Sequence, residues 1–129
     1  GVIDLPLRDN VGNERHLTDL KGQVVLLDFH IFGMKGSTEY IMRMRELYEK
    51  YHSKGLEIFM VSLDDNEHFW KEQVANLPWI NVFDNTGISR AYTEAATATP
   101  IIYLIDRGNN IVRNPGQIKN LEAEIQALL

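Results

Sequence analysis

The stretch KGQVVLLDFHIFGMKGSTEY, Lys21 to Tyr40, decides the fold. Gln23 to Phe29 is an apolar run rich in β-branched residues, the pattern of a strand covered on both faces. Gly33 and Gly36 interrupt it, and a different periodicity takes over. Tyr40, Ile41, Met44, Leu47, Tyr48 and Tyr51 fall on one stripe of a 3.6-residue repeat and predict a helix over 37–53. Ser37 or Thr38 can cap it, Glu39 suits the positive end of its dipole, and Gly55 stops it. A buried strand, a tight turn and a capped helix in that order have the shape of an active-site loop.

Outward from this unit, Val2 to Leu7 and Arg15 to Leu17 flank the turn-rich DNVGNE and read as a short hairpin. Downstream, Leu56 to Ser62 is a second buried strand, and the Asp64–Glu67 spacing of a capping box starts a helix that runs to Val74. Ile80 to Phe83 is a short strand, and Ile88 to Tyr92 a short helix. Pro100 to Ile105 and Ile111 to Arg113 are paired across the turn DRGNN. Asn114, Pro115 and Gln117 supply the cap, first-turn proline and third-position glutamine of a last helix. The order β-β-β-α-β-α-β-α-β-β-α implies a mixed sheet with helices on both faces.

The chain has 129 residues, 44% of them hydrophobic, which suits one domain with a sizeable core. Its net charge of −5 argues against a nucleic acid as partner, and no apolar run is long enough for a transmembrane segment. The first residues already read as domain material, so we expect a single domain over 1–129, excised from a longer, secreted or lipid-anchored protein, with an upstream domain as one candidate partner. The count of cysteines is zero, which removes disulfides, thiolate nucleophiles and Cys-ligated metals together. His16, His30, His52 and His68 lack ligand spacing, so no metal is expected, and no motif calls for a cofactor.

Several segments together resemble the thioredoxin-like proteins, and within them the thiol-disulfide oxidoreductases of TlpA and ResA type, near the AhpC/TSA redoxins. Lys21-Gly22 and Asp28-Phe29 match that family's first strand. His30 and Gly33 stand where it carries tryptophans, and Met34-Lys35-Gly36-Ser37 takes the place of C-x-x-C. Thr99-Pro100 before an apolar strand, the DRGNNIV hairpin, and the segment from Val61 to Asp84 as an inserted helix-strand unit also agree. The resemblance implies a three-layer α/β/α sandwich with a central mixed sheet, an N-terminal hairpin and an insert before a cis-proline at Pro100. It also implies a buried acid at Asp28, a groove between the 34–37 loop and Thr99-Pro100 that holds an extended peptide, and a periplasmic or cell-envelope setting.

The chemistry of the loop departs from the family. Thiol-disulfide exchange needs a thiolate to attack and a second thiol to resolve. Met34 is a thioether that cannot ionise, and Ser37 is a poor nucleophile without an adjacent base. The expectation is therefore a redox-inactive domain with no catalytic residue. It would bind a peptide or protein partner through His30, Met34, Lys35, Gly36, Ser37, Thr99 and Pro100. The bland readings are that Met34 fills an apolar patch, that Ser37 only caps its helix, and that Trp70 and Trp79 pack in the core or lie over the proline bend. Two alternatives stay open: an oxidoreductase, which needs cysteines this chain lacks, and another enzyme built on His30, Ser37 and Asp28. Asp28, if buried, has a raised pKa and must find a hydrogen bond or water.

Overall fold

The computed structural model describes residues 1–97 and 100–129. In chain order its elements are β1 (Leu7–Asp9), β2 (Glu14–Arg15), β3 (Val24–His30), α1 (Ser37–Tyr51), β4 (Leu56–Ser62), α2 (Glu67–Val74), β5 (Ile80–Phe83), α3 (Arg90–Thr93), β6 (Ile101–Ile105), β7 (Ile111–Arg113) and α4 (Leu121–Leu128). Short 3₁₀ turns lie at Leu17–Leu20 and His52–Lys54. The strands form one sheet in the order β2-β1-β5-β4-β3-β6-β7. β3, β4 and β5 run parallel, whereas β1, β6 and β7 each pair antiparallel with their neighbours. The sheet is mixed, as expected, because β6 and β7 close a hairpin against the parallel centre.

β3 and β4 are buried along their whole length, which is why both read as unbroken apolar runs. Alternation along β3 sorts its side chains. Val24 and Leu26 join Met44 and Leu47 of α1, Trp70 of α2 and Ile125 of α4 in one core. Val25, Leu27 and Phe29 join a second core with Leu5, Leu17, Leu20 and Tyr92 on the opposite face. That second face is covered by the N-terminal segment, a 3₁₀ turn and the one-turn α3 rather than by long helices. Asp28 and His30 share the phase of Val24 and Leu26, so the same alternation turns both toward α1.

Several boundaries differ from expectation, each for a local reason. The hairpin is shorter and shifted, at Leu7–Asp9 and Glu14–Arg15, because the Asp9 carboxylate accepts the N–H groups of Val11 (3.0 Å) and Asn13 (2.9 Å) and so sets the turn. α2 is capped by Asn66, which accepts from the Phe69 N–H, not by Asp64. The short α3 spans Arg90–Thr93 rather than Ile88 to Tyr92, because Asp84 draws the N–H groups of Gly87 and Ser89 into its own turn first. At the end of the chain the Asn114–Gln117 box forms, with Gln117 accepting from the Asn114 N–H at 2.7 Å, but no helix follows it directly. Gly116 has φ 86°, which a right-handed helix cannot accommodate, so α4 starts at Leu121 with Asn120 as its cap. Trp70 and Trp79 are buried core residues, packed against Phe83 and Tyr48 respectively.

Candidate functional site

The turn from β3 into α1 is held from outside. Asp64, just beyond β4, accepts the backbone N–H groups of Phe32 (2.9 Å) and Gly33 (3.0 Å) and the Ser62 hydroxyl (2.7 Å). Gly36 then supplies a left-handed corner at φ 87°, open on the side where a Cβ would sit, and α1 begins.

Ser37 does not cap that helix. Gly36 occupies the N-cap position without a side-chain bond, and the buried Ser37 hydroxyl shares a 2.7 Å hydrogen bond with His30 Nε2. The His30 imidazole is stacked on the Tyr40 ring, with centroids 5.1 Å apart, and meets the Phe32 ring edge-on at 4.7 Å. Burial holds this imidazole neutral by lowering its pKa to about 4, against the opposing pull of the Asp64 charge. Tyr40, expected on the apolar stripe of α1, donates its hydroxyl to Asp28 Oδ2 instead. Asp28 is completely buried, and its other oxygen has no hydrogen-bond partner among the described residues. Burial raises its pKa to about 7, and the Tyr40 hydrogen bond recovers only part of that cost. Burial, with the Asp28 charge beside it, also pushes the Tyr40 phenol well above its ordinary range.

Met34 sits on the turn from β3 into α1 at 37% exposure. His30, Met34, Lys35, Gly36, Ser37 and Pro100 line one shallow depression of about 140 Å³, together with Tyr40 and Arg43. Thr99, and with it the bond to Pro100, lies outside the described residues. Asp28 lies beneath Tyr40 and is not part of the lining. Beyond Tyr40, Arg43 and Pro100 the depression leads into a larger cleft of about 680 Å³ between α1, residues 95–97 and 100–103, and the segment 114–121. Tyr40, Arg43 and Asp64 were absent from the sequence-based set. Tyr40 was open to discovery, since a buried aspartate on β3 needs a donor and α1 is the element facing it. Nothing in the sequence pointed to Asp64. Among the described residues there is no cluster of His, Asp and Glu suited to a metal ion, and no helix is long and apolar enough to cross a membrane.

A mixed sheet whose central strand passes through a tight turn into a long helix, with that turn and Pro100 lining one depression, defines a thioredoxin-like protein. The chain belongs to the AhpC/TSA family, whose model matches residues 2–114. It is 32% identical over 108 residues to the thiol-disulfide oxidoreductase ResA of Bacillus cereus, a match covering 81% of this chain and 61% of that protein. Among solved structures, a thioredoxin-like protein of Bacteroides vulgatus superposes with a TM-score of 0.88 at 41% identity, over 98% of this chain and 85% of the other. A thiol:disulfide interchange protein from Bacteroides sp. shares the fold at a TM-score of 0.82 and 24% identity, over 98% of this chain and 86% of the other. These likenesses place the chain in the TlpA/ResA-type branch of the thioredoxin-like superfamily.

Proposed function

We propose that this chain is a redox-inactive member of its family that binds a peptide or a partner segment in the groove between the Met34–Ser37 turn and Pro100. The observation that carries this reading is the hydrogen bond between Ser37 and His30. At the position that resembles the second cysteine of the motif, the side chain is fixed to a buried neutral imidazole, while Met34 beside it offers only a thioether. The chain contains no cysteine, so none of its residues can form the mixed disulfide that thiol-disulfide exchange requires. The open depression and the cleft it joins stay accessible, and holding an extended segment there needs no thiol.

The relatives' named activity, thiol-disulfide oxidoreduction, would require cysteines that this chain does not have. A serine nucleophile is the other alternative. Ser37 and His30 are placed for it, but among the described residues no third member orients His30, and Asp28 bonds Tyr40 instead. An imidazole with a pKa near 4 is also a weak general base at neutral pH. A periplasmic or envelope-facing setting, which kinship with the ResA-type proteins supports, and an upstream domain complete the proposal.

Two measurements test the reading. With dithiothreitol and insulin, the chain should produce turbidity no faster than the reductant alone; acceleration would refute redox inactivity. In a peptide array, bound sequences should be lost on Pro100→Ala, and retention of every one would count against the groove.

A further inference from the structure

Resting on the groove reading above, we infer that the segment it receives is an apolar peptide carrying an acidic side chain, and that Arg43 and Lys119 select for it. The larger cleft has an apolar floor, formed by Met44 of α1, Ile102 of β6, and Ile118 and Leu121 at the entry to α4. Its charged groups are Arg43 and Lys119, and the depression it joins adds Lys35. The chain as a whole carries 18 acidic residues against 13 lysines and arginines, yet no aspartate or glutamate lines either cavity. A cationic lining on an acidic protein is a local inversion of charge, and the chemistry that complements it is a carboxylate on an apolar stem.

Among the described residues, neither cation is in an ion pair: the pairs use Arg15, Lys50, Arg113 and histidines, not Arg43 or Lys119. Arg43 lies over the Tyr40 ring at 5.7 Å, which holds its guanidinium at the junction of the two cavities. Lys119 stands on the opposite wall, in the segment that Gly116 turns away from helix. The trough continues past Arg43 along α1 and Leu121 to Glu46 and the Lys50–Glu122 ion pair at 3.0 Å, where the charge becomes balanced. The positive stretch is thus bounded: it begins at Lys35, spans the cleft, and ends past Arg43, where Glu46 and Glu122 appear. An extended peptide lying along it would place apolar side chains on the floor and one carboxylate between Arg43 and Lys119.

The test uses blocked, fluorescently labelled hexapeptides of Leu and Val with a single central Glu, Gln or Lys, read by fluorescence anisotropy. The Glu peptide should bind more tightly than the Lys peptide by roughly fivefold to tenfold, the range that two partly exposed ion pairs supply. That preference should shrink as salt is raised and vanish in Arg43→Gln/Lys119→Gln, while the Gln peptide binds the variant and the parent alike. Ala95→Trp, at an exposed lining position, should weaken all three peptides by filling the cleft. Equal binding of Glu and Lys peptides, still blocked by Ala95→Trp, would overturn the charge selection and leave the groove standing. Binding of the Glu peptide that ignores Ala95→Trp would move the site elsewhere and overturn this inference. No binding by any peptide would bring down the groove and this inference together.

Discussion

At the start of α2, Asn66 accepts the Phe69 N–H at 2.9 Å, and at the start of α4, Asn120 accepts the Ala123 N–H at 3.1 Å. At the start of α1 a residue equally suited to that task, Ser37, sits within the first turn and gives its hydroxyl to His30. The first two helix ends follow the usual rule that a short polar side chain satisfies an orphan amide. The third departs from it at the turn which, by resemblance, replaces C-x-x-C. What separates them is their neighbour: Asn66 and Asn120 are exposed, whereas Ser37 faces a buried imidazole that would otherwise lose a partner. A buried polar atom left unpaired costs more than an exposed amide that water can reach, so the imidazole wins the hydroxyl.

The largest expected effect comes from the acid beneath this cluster. Asp28 has a folded pKa raised to about 7, so the folded state binds its proton more tightly than the unfolded chain does. The resulting penalty on stability is absent at low pH, grows as pH rises through the ordinary carboxylate range, and is complete above about 7. Asp28→Asn should therefore stabilise the protein by about 3 kcal/mol at pH 8, and by little near pH 4, in urea unfolding. A variant no more stable than the parent at pH 8 would mean that Asp28 is well solvated. His30 acts with the opposite sign. Its folded pKa is lowered to about 4, so its stabilising share is full above its ordinary value and is lost as pH falls toward 4. In the parent the two slopes oppose each other over the acid range. In Asp28→Asn the His30 slope should stand exposed, with stability rising between pH 4 and 6.

Next in size is Ser37→Ala, which leaves His30 Nε2 buried without its partner and should cost about 1–3 kcal/mol. In a His30→Phe background the same change should cost far less, and a double-mutant cycle measures the coupling. Were Ser37 an ordinary cap, its cost would be the same in both backgrounds. Asn66→Ala and Asn120→Ala, the conventional caps, should each cost about 1 kcal/mol in thermal or urea unfolding, independently of His30. The smallest effect belongs to Glu39→Gln in the first turn of α1, a loss of a few tenths of a kcal/mol that added salt should erase.

Much of the architecture was legible because burial writes a periodicity. β3 and β4, enclosed on both faces, show continuous apolar runs; α1 shows its 3.6-residue stripe; β6 and β7 announce a hairpin through DRGNN. The errors cluster where a side chain had several possible partners. Asp64 has capping-box spacing to Glu67, yet it ties the β3–α1 turn across the sheet end. Tyr40 fits an apolar stripe, yet its hydroxyl meets Asp28. Asn114 and Gln117 form their box, yet Gly116 denies them a helix. Of the expected site, the residues of the 30–37 stretch and Pro100 line one depression, whereas Asp28 lies below it. The rim cation Arg43 was invisible because charge on a helix face reads as solvated until its neighbours are known.

Composition and periodicity alone determined the order of strands and helices and the absence of any thiol in this chain, for both are properties of local sequence. Which polar group meets which was decided only by the tertiary structure. The pairing of Ser37 with His30 and of Tyr40 with Asp28 depends on β3 and α1 lying face to face, and the cleft beside Pro100 depends on segments as distant as residues 40 and 119 meeting. Hydrogen bonds and cavities are made by proximity in space, and proximity across the sheet leaves no period in the sequence to read.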